Sequence, residues 1–451
     1  MKMYQKLKKC KSIKEIYEVI PEKFYEKCAV VLIFLMNMVV VVESLTKIIY
    51  NKGSYWKVMQ NYNLFGKICL IYVIIYIGSR ICKLKSDEIN KYFKNNIWDF
   101  CFLMLFLLSV VSITVAHNKT EAINGDWYRQ NGIRAYVVYL SLYIIGKSID
   151  TEKYKRFIFW TITIASTLQC ILIYKGYVND TGRYAGIFGN SNHCGYFMTM
   201  AIFAMIGLLV TEKSLIVKCI MTVIYGFNIM CLILNNTFGC YLAVIAGIVF
   251  YVVVSAVKNR KNQSLIYYIL MYIHIIFVFV MISIITDMHT GIVSNNFNIT
   301  GNDIVKVTDR SEEAGNAGTG RWKLWIHTMK IIKRKPILGC GPENIQFEPG
   351  YKNEPHNEFI QIAAEHGVPA CLFYILGLIT LMIHKIKNLK NESEYTIICG
   401  AIVFAYLISS MFGVMMFYTA VFYYTFLGMV SKNRNLTQHY DIGENTKKIK
   451  V

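Results

Sequence analysis

The sequence contains few residues that interrupt helices and little charge within its long apolar runs. Only six of its 451 residues are proline, and 55% are hydrophobic. Apolar runs of about 17–25 residues recur along the chain, each long enough to cross roughly 30 Å of hydrocarbon as a helix. A helix satisfies its own backbone polar groups where no water can. The pattern excludes a soluble protein of two or three domains and indicates an all-α, polytopic membrane protein.

The cysteines also lack any metal-binding or disulfide pattern. Thirteen are present, but no CxxC or Cys/His metal spacing occurs. Most lie in apolar runs, where cysteine behaves as a small hydrophobe. Only Cys340 lies clearly in the long exterior segment, without an obvious partner there, so no disulfide framework is predicted. No small-residue cleavage site follows the first apolar run, and we therefore expect that span to remain in the mature protein.

We predict about twelve transmembrane helices. The predicted spans are 29–46, 65–82, 99–116, 135–149, 157–177, 193–211, 215–234, 237–256, 264–286, 367–384, 395–411 and 413–430. Eleven spans result if the last two, which are nearly continuous, form one helix. The chain then divides into a basic tail (1–28), spans one to nine (29–286), a long exterior loop (287–366), spans ten to twelve (367–430) and a second tail (431–451).

Basic residues predict the orientation, because lysine and arginine favour cytoplasmic loops. With the N-terminus inside, the inside segments hold 30 of the 48 lysines and arginines. Nine of the others belong to the long loop, and long translocated loops count little in this rule. Both termini are therefore predicted to be cytoplasmic. The net charge of +20 then reflects cytoplasmic loops that face anionic lipid headgroups, and nucleic acid is not expected as a partner.

Ionisable side chains are scarce inside the spans. His274 is the only one near a midpoint, apart from tyrosine and cysteine, and a helix-contact role is the favoured interpretation. Ion-coupled transporters usually place acids or bases within the membrane, so this scarcity argues against that class.

Polar residues gather instead in two short exterior turns. VNDTGRYAGIFGNSNHCGYF, residues 178–197, is rich in glycine and asparagine, and an ordinary turn with a solvated Arg183 is the simpler interpretation. LNNTFGCYLA, residues 234–243, offers Thr237 as a helix N-cap, which is the favoured role there.

The long exterior loop has two parts. Residues 287–319 are rich in Asn, Gly, Thr and acids and predict a mobile loop. From residue 320, GRWKLWIHTMKIIKRK places tryptophan and apolar residues on one helical face and lysines on much of the rest, which predicts a helix lying in the membrane interface. Pro336 ends it.

EPHNEFIQIAAEHGV follows, at residues 354–368, where the chain re-enters the membrane. Its apolar residues repeat at helical spacing, and His356 lies at or just before the predicted helix start. Histidine can act as a base at neutral pH, and arginine suits phosphate oxygens. His356, Arg183 and Arg321 on one side of the membrane fit a lipid-linked phosphate or pyrophosphate. A capping histidine with arginines paired to nearby acids remains an equal alternative at this point.

The motifs GRYAGIFGNSN, GRWKLW, PILGCGPEN and HNEFIQIAAEHGVPA, in this order, resemble the superfamily of O-antigen ligases and of O-antigen and capsular polysaccharide polymerases. The resemblance covers about residues 155–430. It implies a membrane glycosyltransferase with a glycan donor on undecaprenyl pyrophosphate and no metal or other cofactor. Arg183 and Arg321 would hold the pyrophosphate, and His356 would deprotonate or orient the acceptor hydroxyl. Asn192, Asn357 and Glu358 are weaker candidates for positioning.

The family divides by acceptor, and its motifs do not separate the branches. We expect a repeat-unit polymerase for capsule or other exopolysaccharide, at the outer face of a bacterial cytoplasmic membrane and within reach of other assembly proteins. Transfer of lipid-linked glycan to another acceptor is the alternative. A flippase or a non-catalytic scaffold is an alternative from another class. The acidic insert at 309–318 matches no feature of the family and reads as a lid or a linker.

Overall fold

The computed structural model of the chain is built from α-helices and short 3-10 turns, with no strand among the residues that it describes. The structure describes residues 8–83, 86–180, 184–260, 263–309, 315–350 and 353–433. This architecture, with its many long apolar helices, confirms the prediction of an all-α polytopic membrane protein.

The helices are numbered in chain order. They are α1 (Ile13–Val19), α2 (Glu22–Tyr50), α3 (Tyr55–Lys83), α4 (Ser86–Asn95), α5 (Ile97–Ser112), α6 (Lys119–Asn124), α7 (Ile133–Lys147), α8 (Glu152–Val178), α9 (Ser191–Thr211), α10 (Leu215–Leu234), α11 (Phe238–Asn259), α12 (Leu265–Thr290), α13 (Ile292–Thr308), α14 (Arg321–Arg334), α15 (Glu358–His366), α16 (Val368–Lys387), α17 (Glu394–Ser410) and α18 (Phe417–Ser431).

Each of the twelve predicted spans coincides with a separate helix. Within the described part of the chain, nine of these helices are long and apolar enough to cross a membrane, namely α2, α3, α5, α8, α9, α10, α11, α12 and α16. The other three, α7, α17 and α18, have 15, 17 and 15 residues and are shorter than the ~20 that a perpendicular crossing needs. A break at residues 411–416 separates α17 from α18, so the last two predicted spans are two helices.

Two helices form the centre of the bundle. In α9, 94% of the most apolar window is buried, and every residue of α18 is buried. Helices α8 and α17 pack against α9, and α7 packs along α18. Outer helices such as α12 and α16 instead leave one face exposed, as expected for helices that face lipid. Because α9 and α18 are central, their N-terminal turns lie near the centre of one end of the bundle, where the candidate site is.

The predicted mobile loop at 287–319 is largely wrong. Helix α12 continues to Thr290, and after a left-handed turn at Gly291 the chain forms α13 up to Thr308. Asp287, near the end of α12, stabilises the start of α13. Its carboxylate accepts hydrogen bonds from the backbone N–H groups of Val293, at 2.7 Å, and Ser294, at 3.1 Å. The abundant Asn and Gly conceal this helix from composition alone. The insert at 309–318 lies partly in residues 310–314, outside the described residues.

The predicted helix after residue 320 is present as α14, and it ends two residues before Pro336. The PILGCG segment then lies against the end of α15. Backbone N–H groups of Cys340 and Gly341 donate to the carbonyls of Ala364 and Glu365, each at 2.9 Å. Gly339 adopts a φ of +66°, and a Cβ there would collide with the carbonyl of Ala364. This close approach fixes the long segment to the helix that carries the HNEF motif.

Candidate functional site

His356 lies immediately before α15, at the place predicted from the sequence. Asn357 caps the helix by accepting hydrogen bonds from the N–H groups of Phe359 and Ile360, each at 3.1 Å. Its amide nitrogen also donates to the carbonyl of Met411 at 3.2 Å. On the other side, the indole of Trp325 donates to the carbonyl of Pro355 at 2.7 Å. His356 is therefore held between two anchors, and it is not itself the helix cap.

The imidazole of His356 is half-buried, and the backbone of this residue is strained. Its φ is +49°, which L-residues adopt at a cost of roughly 1–2 kcal/mol. The Nδ1 atom is buried and has no hydrogen-bond partner among the described residues. Burial, together with the positive charges of Arg321 and Arg129, lowers the pKa of His356 to about 4. The ring is therefore neutral at pH 7 and has a nitrogen available to accept a proton.

Arg321 is the first residue of α14, and its side chain is half-buried. Its charge acts on Tyr196 of α9, on Cys240 of α11 and on His356, which places the guanidinium among these three elements. No carboxylate among the described residues pairs with it. Burial lowers the pKa of this guanidinium from its usual value. Arginine nevertheless keeps its positive charge in proteins. An unpaired, partly desolvated cation is costly unless an anion joins it.

Arg183 lies outside the described residues, so its relation to Arg321 and His356 stays a prediction. Two hydrogen bonds hold the residues that follow it. The Asn235 side-chain amide donates to the carbonyl of Tyr184 at 2.6 Å, and the Lys47 amine donates to the carbonyl of Gly186 at 2.7 Å. Asn235 therefore anchors the loop that carries Arg183 to the turn before α11.

Thr237 occupies the N-cap position of α11, as expected, but its side chain does not cap the helix. Its hydroxyl donates to the side chain of Asn235 at 2.7 Å and makes no cap hydrogen bond. Asn192, in the first turn of α9, is half-buried beside the same turn, and its carbonyl lies 3.8 Å from the Cys240 thiol.

Glu358, a weaker candidate for positioning, points into the helical bundle. Its side chain is fully buried, and the Tyr374 hydroxyl donates to one carboxyl oxygen at 3.4 Å. Burial raises the pKa of Glu358 to about 8, although the neighbouring hydroxyls of Tyr406 and Tyr374 oppose this shift. The carboxyl is therefore largely protonated at neutral pH.

A second imidazole, in the first turn of α9, lies near His356. The Nδ1 atom of His193 is 3.2 Å from the Thr419 hydroxyl oxygen, and the ring packs edge-on against Tyr196 and Tyr418. A charge on His356 acts on this ring, so the two imidazoles share one region. The sequence marks His193 only as a polar residue near the end of a span.

The most extensive ionic cluster at this end of the bundle was not predicted. The Arg129 guanidinium, between α6 and α7, pairs with carboxylates of Asp126, Glu343 and Glu354 at 3.0, 2.8 and 3.2 Å. Glu343 belongs to the PILGCGPEN motif, and Glu354 precedes His356 by two residues. Burial raises the pKa of Glu343 to about 8, and burial also raises that of Glu354, while Arg129 opposes both shifts.

This Arg129 cluster joins three parts of the chain that are distant in sequence. The Glu343 carboxylate also accepts a hydrogen bond from the N–H of Asn131 at 3.0 Å, and the Asn344 side chain accepts one from the N–H of Asn118 at 2.7 Å. The loop before α7 is thereby fixed to the segment that carries His356. Sequence analysis could have noticed an arginine in an exterior loop and two acids within shared motifs, but nothing in the pattern pairs them.

Comparison with known proteins gives one match. Residues 220–375 match the model of a protein family described as O-antigen ligase. No curated protein and no solved structure matches the chain. The matched region extends from α10 into α16 and includes Asn235, Arg321 and His356, whereas Arg129 and Arg183 precede it.

Proposed function

We propose that this chain, which residues 220–375 place in the superfamily of O-antigen ligases and polymerases, polymerises lipid-linked repeat units of a surface polysaccharide. It would act as a multi-pass protein of a bacterial cytoplasmic membrane, with both termini cytoplasmic and the site on the outer face. The donor would be a glycan on undecaprenyl pyrophosphate, and the acceptor a second lipid-linked unit.

The observation that carries this proposal is that a half-buried cation and a neutral base, Arg321 and His356, lie in the same part of the structure. Arg321 is a half-buried cation that no described carboxylate neutralises, and His356 beside it is a neutral imidazole with an unpartnered Nδ1 atom. A leaving pyrophosphate needs the first, and an attacking hydroxyl needs the second. Both lie at one end of a bundle of apolar helices, where a polar glycan and a polyprenyl tail can be accommodated together.

In the proposed reaction, a hydroxyl oxygen of the acceptor attacks the anomeric carbon of the donor glycan. A new glycosidic C–O bond forms as the bond to undecaprenyl pyrophosphate breaks. His356 takes the hydroxyl proton. The negative charge that develops on the leaving pyrophosphate is stabilised by Arg321 and, in the role predicted for it, by Arg183. General-base catalysis contributes about 10²–10⁴-fold in rate, so His356 alone should account for a loss of that size.

The test uses cells and purified protein that carry wild type, His356→Gln, Arg321→Gln or Arg183→Gln at matched protein levels. If each variant leaves single lipid-linked units and loses at least about 10²-fold in rate, the polymerase proposal holds. Long chains that accumulate on the lipid carrier would identify a ligase. Surface chains of normal length in all three variants would contradict the site and favour a flippase or a scaffold. Arg334→Gln is the matched control, since Arg334 is exposed at the far end of α14 and pairs with Glu348.

A further inference from the structure

Four aromatic side chains form a continuous surface beside the Arg129 cluster. Trp56 and Trp127 stack with ring centroids 5.9 Å apart and planes 26° from parallel, and Tyr55 stacks on Trp56 at 5.6 Å. Tyr128 meets Tyr55 edge-on at 5.8 Å and lies 5.7 Å from Trp127. We call Tyr55, Trp56, Trp127 and Tyr128 the aromatic platform. Trp127 is 70% exposed and the other three are half-buried, so the Trp127 ring at the end of the stack remains open to a ligand.

The platform has a rigid support. The Asp126 carboxylate accepts hydrogen bonds from the backbone N–H groups of Tyr128, at 2.8 Å, and of Arg129. The Arg129 guanidinium then ties this turn to Glu343 and Glu354. An exposed tryptophan on a fixed turn loses little conformational freedom when it binds a ligand, which favours recognition.

The platform is also continuous with the candidate site. A Cβ on Gly189, next to the Asn190 cap of α9, would lie only 2.7 Å from the Tyr55 ring. From the other side, the Glu354 carboxylate connects the platform turn to His356, two residues further along the chain. The surface therefore leads to the group that serves the acceptor hydroxyl in the proposed reaction.

The chemistry around the platform suits a saccharide better than a lipid tail. Half-buried Gln130 follows it in the chain, and the Asn63 side chain donates to the Gln130 side chain at 2.8 Å. Pyranose rings present apolar C–H faces with polar hydroxyls at their edges. Flat aromatic faces bordered by amides and charged groups match both features, whereas an acyl chain uses only the first.

We propose that the aromatic platform, centred on Trp127 and Trp56, is a saccharide subsite that holds the acceptor glycan while its terminal hydroxyl reaches His356. This inference rests on the proposed function, and it adds a residue set that lies outside the region matching the family. Stacking would raise the affinity for the acceptor without changing the chemical step.

The test measures binding to full-length protein in lipid nanodiscs. The first probe is the saccharide released by mild acid from lipid-linked glycan of cells that carry this protein, because it lacks pyrophosphate and cannot act as a donor. The second is undecaprenyl pyrophosphate without glycan. Trp127→Ala should raise the Kd for the saccharide about tenfold, equivalent to about 1.4 kcal/mol, and leave the Kd for undecaprenyl pyrophosphate unchanged. Trp127→Tyr, which keeps a flat ring, should lose much less.

Tyr50→Ala is the matched control, because Tyr50 is a 68% exposed aromatic residue at the end of α2, outside the platform. An unchanged saccharide Kd in Trp127→Ala, no saccharide binding by wild type, or a parallel loss for both probes would each overturn the inference. The last result would identify a membrane-anchoring role. If Trp127→Ala does not fold, Trp127→Leu tests the same loss of a flat face.

The binding assay needs no turnover, so the two proposals can fail separately. Wild type that binds the saccharide through Trp127 but never elongates lipid-linked glycan would contradict the proposed function. Normal elongation with saccharide affinity independent of Trp127 would contradict the platform alone.

Discussion

Replacing Arg129 by glutamine should destabilise the protein in a way that depends on pH. Arg129 is 15% exposed, and its partners Asp126, Glu343 and Glu354 are 10%, 0% and 3% exposed, so solvent screens these ion pairs little. Removing one partner of a buried ion pair typically costs about 3–5 kcal/mol, because the remaining charge loses its compensation. Here three acidic side chains would remain without a cation, and we expect the loss to approach this size only as they ionise, as pH rises through 8 and above.

The pH dependence follows from the raised pKa values. The folded state holds the Glu343 proton with a pKa of about 8, above the usual 4.5 of the unfolded chain. A group of this kind stabilises the fold below about pH 4.5, and this contribution is lost as pH rises toward 8. Without Arg129, which lowers the pKa values of Glu343 and Glu354, both rise further. The penalty of Arg129→Gln should therefore be small near pH 5, larger at pH 8, where Glu343 of the wild type is about half ionised, and larger still above pH 8.

The assay is thermal unfolding of purified protein in detergent at pH 5 and pH 8. Arg134→Gln is the control, because Arg134 is exposed nearby and its guanidinium only hydrogen-bonds the Asn124 side chain at 3.0 Å. Adding Glu354→Gln to Arg129→Gln should recover part of the lost stability at pH 8. An equal decrease in Tm at both pH values, or no decrease at all, would refute the electrostatic reasoning.

Two further predictions concern the proposed reaction. In the pH–rate profile of wild type, kcat/KM should decrease below about pH 4, where His356 of the free protein becomes protonated. The corresponding decrease in kcat should occur at a higher pH, because bound pyrophosphate offsets the nearby positive charge. Decreases in both constants at the same pH, near 6.5, would contradict this. Asn235→Ala should cost about 1–3 kcal/mol of stability through the unpaired Tyr184 carbonyl and raise KM for the donor, whereas exposed Asn236→Gly should do neither.

The sequence predicts what depends on local pattern. Long apolar runs produced all twelve span positions, because a membrane-spanning helix must be apolar along its own length. The start of α15 was also predictable, since Asn357 caps it from within the same motif. The prediction for residues 287–319 was wrong, because α13 begins at an aspartate cap and then contains residues that usually favour turns.

Contacts across the chain were beyond local pattern. Arg129 and Glu343 are 214 residues apart, and nothing around either residue indicates their pairing. The same holds for Asn235, whose side chain supports the loop after Arg183 from 51 residues away. At Thr237 the local signal correctly predicted the N-cap position, but its hydroxyl donates to Asn235 and does not cap the helix. The helix positions and the place of His356 before α15 could therefore be predicted from the sequence, while the long-range contacts that hold the neighbouring segments could not.

The charges around His356 suggest how donor binding and base strength are coupled. Without substrate, burial and the cations Arg321 and Arg129 keep the imidazole neutral but make it a weak base, with a pKa of about 4. In the proposed reaction, a pyrophosphate bound at Arg321 would offset that positive charge and raise the basicity of His356. Arg129 cannot respond in the same way, because three carboxylates already surround it. The imidazole would thus become an effective base only when the donor is in place, so that deprotonation of an acceptor hydroxyl coincides with the presence of a leaving group.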